Sequence, residues 1–168
     1  MIVRIKKDRH YRSNYILRPF KIGRTWEKHY TVVFDDSTRY ELEENKTQVN
    51  KLVGVGHLFH HFNSVRIGWR YHEGVVELFA YRYQNGQRTY FRLLDVKIGE
   101  SVDIRIEYKI KGGKAEYLMQ VGNIVSHYSW RIDKWWQCIP FVYECFPYFG
   151  GIMPSPQNIS INIIKVNK

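Results

Sequence analysis

The sequence predicts an all-β protein, two antiparallel sheets packed face to face as a sandwich with little helix. Three observations lead there. Apolar residues alternate with polar ones in short runs instead of recurring at helical spacing. Turn residues, chiefly Gly and Asn, separate these runs at regular intervals. Finally, five Trp, thirteen Tyr and nine Phe in 168 residues is a composition that suits pleated strands better than helices. A chain of this length buries its own core without metal or disulfide support, and is read as one domain, residues 1–168.

Met1 to Lys6 alternates and is read as an edge strand. Lys7 to Lys28 has no clear period, is punctuated by Pro19 and Gly23, and is read as a basic surface loop or arm. His29 to Phe34 is a strand ended by Asp35-Asp36-Ser37, with Thr38 to Glu43 as its expected hairpin partner. Asn45 to Leu52 is expected to make one helical turn, stopped by Gly54 and Gly56, and His57 to Phe62 leads into a central meander. Beyond the meander, Gly112-Gly113 pairs Lys111 with Lys114 and joins Val102–Ile110 to Ala115–Val121. In that register Ile110/Ala115, Tyr108/Tyr117, Ile106/Met119 and Ile104/Val121 share one apolar face. Ile124 to Trp130 and Ile139 to Tyr148 are further strands, and Pro147, Gly150, Gly151, Pro154 and Pro156 mark a turn-rich connection. Asn158 to Val166 closes the chain as a strand with Ile159, Ile161 and Ile163 on one side.

The meander, Ser64 to Leu94, carries the most information. Asn85-Gly86 suits a two-residue type I′ turn, since both central residues need positive φ. That turn pairs Tyr83 with Arg88, Tyr81 with Tyr90, Phe79 with Arg92 and Leu78 with Leu93. The earlier turn uses either His72-Glu73 or Glu73-Gly74, and both give the same parity. Side chains alternate across a strand. One face therefore holds Val65, Ile67, Trp69, Val76, Leu78, Ala80, Phe91 and Leu93, a core face. The other holds Arg66, Arg70, Glu77, Phe79, Tyr81, Tyr83, Arg88, Tyr90 and Arg92. An ordinary solvated face would be Thr, Lys, Ser and Glu. This one sets aromatic rings and guanidinium groups around a single carboxylate.

The formal charge of +10 is uneven: residues 1–30 supply +7 of it. An acidic partner fits such a segment. Nucleic acid is disfavoured, because no RNP, KH, helix-turn-helix or zinc-finger spacing accompanies the charge. No run of about 18 apolar residues exists to span a membrane. The start of the chain is charged from Arg4 onward with no apolar h-region, so no secretory signal is expected, and the cytoplasm or a virion is the expected location. Cys138 and Cys145, on an extended segment, would stand roughly 23 Å apart and are read as packed thiols.

His57 and His61 would share a strand face but sit about 13 Å apart, with His60 pointing away, so no metal site is expected. Glu41 and Glu43 would lie roughly 6.5–7 Å apart on one strand face, near the spacing of a retaining glycosidase pair, yet the stretch reads as a charged hairpin end. Glu77 is read first as a cross-strand ion pair with Arg70 or Arg66, and second as a general base. No cofactor and no catalytic residue is assigned.

Asn50-Lys51-Leu52-Val53-Gly54, the stretch from Phe62 to Tyr83, and Tyr148-Phe149-Gly150-Gly151 with Pro154-Ser155-Pro156 and Ile159-Ser160-Ile161 resemble the concanavalin A-like lectin/glucanase superfamily. The pattern is similar to single-domain proteins of Bacteroidetes and their phages, and covers about Thr31 to Val166. The resemblance implies a jelly-roll sandwich whose concave sheet carries any ligand. The Glu-x-Asp-x-x-Glu strand of family-16-like glucanases is not matched, and legume-lectin calcium ligands are not recognisable. The reading is a non-catalytic, lectin-like module that binds a glycan, suited to an anionic one, through the aromatic and arginine face. The alternatives are a structural or interaction protein, such as a virion component or homo-oligomer docking by that face or the basic segment, and then a glycoside hydrolase or polysaccharide lyase.

Overall fold

The computed structural model of the chain describes residues 1–11, 21–22, 25–40, 48–57, 61–132, 141–150 and 153–166. Among these lie twelve strands: β1 (Ile2–Ile5), β2 (Lys21–Ile22), β3 (Thr25–Phe34), β4 (Asn50–Gly56), β5 (Ser64–His72), β6 (Val75–Gln84), β7 (Gln87–Lys97), β8 (Ser101–Lys111), β9 (Lys114–Val121), β10 (Ile124–Arg131), β11 (Phe141–Cys145) and β12 (Ile159–Val166). They form two six-stranded antiparallel sheets, ordered β1-β12-β3-β8-β9-β10 and β2-β11-β4-β5-β6-β7. One sheet contains the three-strand meander β8-β9-β10 and the other the four-strand meander β4-β5-β6-β7, and the chain crosses between sheets at either end of these. The expected all-β sandwich is what forms. Among the described residues, no helix is long and apolar enough to cross a membrane.

The core is the space between the inner faces. Val65, Ile67, Trp69, Val76, Leu78 and Ala80 from one sheet meet Tyr30, Val32, Phe34, Ile104, Ile106, Tyr117 and Ile161 from the other, all buried. The Trp69 ring lies 5.5 Å from that of Phe34 across the gap, with Tyr40 at 5.9 Å and Phe149 at 6.1 Å. Burial of an aromatic side chain on this scale is worth about 3–5 kcal/mol against truncation to Ala.

Turn chemistry sets the registers. Glu73 (φ 47°) and Gly74 (φ 88°) make the first meander turn, which pairs His72 with Val75. Asn85 (φ 49°) and Gly86 (φ 80°) make the second, and Tyr83↔Arg88, Tyr81↔Tyr90 and Phe79↔Arg92 follow as expected. The Gly112-Gly113 hairpin has the expected pairing throughout.

Several expectations are corrected. The register slips between Leu78 and Phe79, so Leu78 faces Leu94 and not Leu93. A β-bulge adds one residue to β7 there, and both Leu93 and Leu94 pack against the core. Phe91 sits opposite Ala80 yet is 47 % exposed, because β7 is the last strand of its sheet and the ring projects past the cover of the facing one. The expected hairpin partner of β3, Thr38 to Glu43, falls partly outside the described residues, and its described part, Thr38 to Tyr40, does not pair with β3, whose two neighbours are β8 and β12. Instead Asp36–Thr38 is a single 3-10 turn capped by the Asp35 side chain, and residues 41–47 lie outside the described set. The helical turn expected over Asn45 to Leu52 gives way to strand β4 from Asn50 onward, where every residue is buried. The basic segment is shorter than Lys7 to Lys28, since Lys21–Ile22 pair with β11 and β3 begins at Thr25. Pro19, Gly23 and Cys138 are outside the described residues.

Candidate functional site

The outer face of β4–β7 carries the nine residues singled out from sequence, and it divides into two halves. At one end Glu77, 2 % exposed, is fully engaged. Arg70 Nε donates to its Oε2 at 2.8 Å, Arg92 Nη1 lies 2.8 Å from Oε1, and His72 Nδ1 is 3.7 Å away. Arg92 also donates through Nε to Asp95 Oδ1 at 2.7 Å. The bulge that brings Leu94 opposite Leu78 also places Glu77 opposite Asp95. The cross-strand ion pair is thus formed, and Glu77 is enclosed by cations rather than open to a groove. Phe79 is buried below, with the Arg70 guanidinium 5.2 Å from its ring centre and Tyr90 at 5.9 Å.

The other end is open. A groove of about 300 Å³ is lined there by Lys51, Arg66, Tyr81, Tyr83, Arg88 and Tyr148, with Tyr11 and His61 among the other residues of its wall. Tyr81 and Tyr90 lie parallel on the same face, 6.1 Å apart and 11° from coplanar. Tyr81 is buried while Tyr90 is 37 % exposed, so the face is neither split between surfaces nor sealed. Tyr83 meets Tyr81 edge-on at 5.7 Å, and His61 meets Tyr83 at 5.4 Å. Burial pushes the Tyr81 phenol well above its ordinary range, so it is a neutral hydroxyl at any physiological pH.

Lys51 is the central cation. A register shift in β4 sends both Leu52 and Val53 into the core and leaves Lys51 on the outer side, opposite Gly68. Its ammonium sits 4.9 Å from the Tyr81 ring centre and 5.6 Å from that of Tyr148, and donates to Gly150 O at 3.1 Å. Burial first, then the charges of Arg66 and Arg88, push its pKa from 10.5 down to about 8. Arg66, 8 % exposed, lies beside the buried thiol of Cys145, and its Nε has no hydrogen-bond partner. It can lie low because Gly54 faces it: a Cβ there would be 2.3 Å from Val65 O and 2.6 Å from Arg66 Cγ.

Of the residues singled out from sequence, Arg66, Tyr81, Tyr83 and Arg88 come together in the groove, with Tyr90 packed beside Tyr81. Arg70, Glu77, Phe79 and Arg92 belong to the ion-paired end. Sequence reasoning missed Lys51, Tyr148 and Tyr11 as site residues. Backbone bonds bring them in: Lys51 N donates to Tyr148 O at 2.8 Å, Tyr148 N donates to Lys51 O at 2.9 Å, and Phe149 N donates to His10 O at 2.8 Å. The His10 ring then stacks on Tyr148 at 5.2 Å, and Tyr11 meets it edge-on at 5.0 Å. Part of the segment read as a basic arm therefore builds one wall. The local signal was the run of strand glycines, Gly54, Gly56 and Gly68, which marks close approach over a sheet.

The histidines do not converge. His57 points inward, buried, and its Nε2 contacts the Tyr117 hydroxyl. His61 lines the groove, and His60, Glu41 and Glu43 lie outside the described residues. Among the described residues no group of three or more His, Cys, Asp or Glu is placed to hold a metal ion.

No protein-family model matches the chain, and no curated protein does. Among solved structures it is similar to the carbohydrate binding module CBM66 from Bacillus subtilis, at 9 % identity and a TM-score of 0.32, covering 86 % of this chain and 76 % of that one. A likeness that loose carries no weight for the ligand, which is argued below from the groove alone.

Proposed function

We propose that this protein is a non-catalytic carbohydrate-binding module whose binding site is the groove over β4–β7. The observation that carries the reading is the pairing of tyrosine rings with cations that meet no carboxylate among the described residues. A pyranose presents apolar C–H faces that pack on Tyr83 and Tyr148, while its hydroxyls accept from guanidinium and ammonium donors. Glu77 supports the non-catalytic reading, since its carboxylate is engaged by two arginines and sterically enclosed at 2 % exposure.

A polysaccharide array tests this with the intact chain and two variants, Tyr83→Ala and Arg88→Ala. The intact chain is expected to retain at least one polysaccharide. Loss of a charged hydrogen bond, at about 1.5–3 kcal/mol, should weaken the Arg88 variant by roughly 10- to 100-fold. Silence across neutral and acidic polysaccharides, together with a stable oligomer in light scattering, would overturn the reading and make the face a protein contact.

A further inference from the structure

Resting on the glycan reading above, we infer that the ligand is an acidic glycan, its carboxylate or sulfate group seated on Arg66, Lys51 and Arg88. Five of the arginine and lysine side chains on the outer face of β4–β7 surround its aromatic rings, and the fold treats them in two ways. Arg70 and Arg92 are neutralised by Glu77 and Asp95. No carboxylate among the described residues lies within ion-pairing distance of Lys51, Arg66 or Arg88. Among the described residues of the groove wall one is acidic, Glu144, which accepts from Tyr30 Oη at 2.7 Å and lies 3.8 Å from Lys165 Nζ, both on the opposite sheet.

Three cations gathered without a counter-charge repel one another, and burial makes that repulsion stronger. A side chain needed only for packing would be Leu or Met at these positions. Arg66 is more than nine-tenths buried, keeps an unpartnered Nε, and lies against the bare backbone of Gly54. An unsatisfied buried guanidinium donor calls for an acceptor. Lys51 uses one of its donors on Gly150 O and aims from the same floor. Arg88, exposed, stands at the mouth near the Tyr90 ring. Cations only donate, whereas a sugar hydroxyl both donates and accepts. A donor-only cluster is therefore matched best by an acceptor-only group, which is a carboxylate or a sulfate. The groups facing Lys51 are Arg66 from β5, Tyr81 and Tyr83 from β6, Arg88 from β7, and Cys145, Tyr148 and His61 from the surrounding segments.

The test is calorimetry and affinity electrophoresis of the intact chain against four polymers: polygalacturonate, its fully methyl-esterified form, chondroitin sulfate and neutral xylan, extended to any polysaccharide positive on the array. Because the chain carries +10, diffuse attraction is controlled with Lys111→Gln, at the tip of the β8–β9 hairpin on the other sheet. At least one acidic polymer is expected to bind. Lys51→Met and Arg88→Gln should each weaken it about tenfold or more, with Lys111→Gln unchanged. The carboxylate and sulfate arms identify which anion is read, and masking a carboxylate as its methyl ester should remove its binding. Arg88 is exposed, so its variant keeps the fold, which thermal unfolding verifies. Equal binding of neutral and acidic polymers overturns the acidic assignment and leaves the glycan reading standing. Equal weakening by Lys111→Gln overturns it as diffuse charge attraction, and binding to no polymer removes both.

Discussion

Replacing Lys51 by Met separates a residue kept for a ligand from one kept for the fold. Met preserves an apolar stem of similar length and removes the ammonium. The folded protein holds that ammonium at a pKa of about 8 instead of 10.5, through burial and then the Arg66 and Arg88 charges. At about 1.36 kcal/mol for each pKa unit, keeping it charged at neutral pH costs the fold roughly 3 kcal/mol. The sign follows from linkage. Below pH 8 the lysine is protonated in both states and the full cost stands. Between pH 8 and 10.5 the unfolded chain binds the extra proton, so this group makes stability rise with pH. Against the gain, Met leaves Gly150 O without its 3.1 Å donor, a loss of about 1–2 kcal/mol. The variant should therefore be more stable by roughly 1–2 kcal/mol at pH 7, with the advantage shrinking by pH 10. Urea unfolding of both proteins at the two pH values, at equal m, measures it. A variant destabilised by about 1 kcal/mol or more at pH 7 would refute the reasoning, because the ammonium would then serve the fold.

Three further outcomes follow from the same coordinates. Glu77→Gln removes the carboxylate that Arg70 and Arg92 share at a position 2 % exposed and should lower stability by about 3 kcal/mol; chemical denaturation measures this, and groove binding should persist. Burial pushes the His57 pKa down to about 4, so the unfolded chain takes up the proton first as pH falls from 6.5. Wild-type stability should accordingly drop by about 3 kcal/mol relative to His57→Gln between pH 6.5 and 4, read by unfolding curves across that range. Gly54→Ala would put a Cβ 2.3 Å from Val65 O; about 1–3 kcal/mol of overpacking should follow, with Arg66 displaced and ligand affinity lost, as denaturation and binding assays would report.

The sandwich was legible because its local rules agree. Asn85-Gly86 and Gly112-Gly113 accept positive φ, their even loops set the register, and parity then sorts core from surface along β5, β6, β8 and β9. Errors arose where a non-local event intervened. The extra residue in β7 that brings Leu94 opposite Leu78 leaves no mark in an alternating run, and an edge strand exposes Phe91 although its parity points to the core. Half of the candidate site was readable for the same reason: Arg66, Tyr81, Tyr83 and Arg88 are neighbours across two predictable turns. Lys51, Tyr148 and Tyr11 were not, because each reaches the groove through backbone pairing between segments far apart in sequence. Whether an arginine is neutralised is also a property of the assembled sheet. Arg66 and Arg70 are four residues apart on one strand, yet Arg70 finds Glu77 while Arg66, among the described residues, finds a thiol and a bare glycine backbone.

The measurement that bears most directly on the groove is amide chemical-shift mapping during titration with an array-positive oligosaccharide. Saturable shifts confined to Lys51, Arg66, Tyr81 to Tyr83, Arg88 and Tyr148 are the predicted result. Shifts centred on the outer face of β3, β8 and β9 would place the ligand on the wrong sheet and contradict the account.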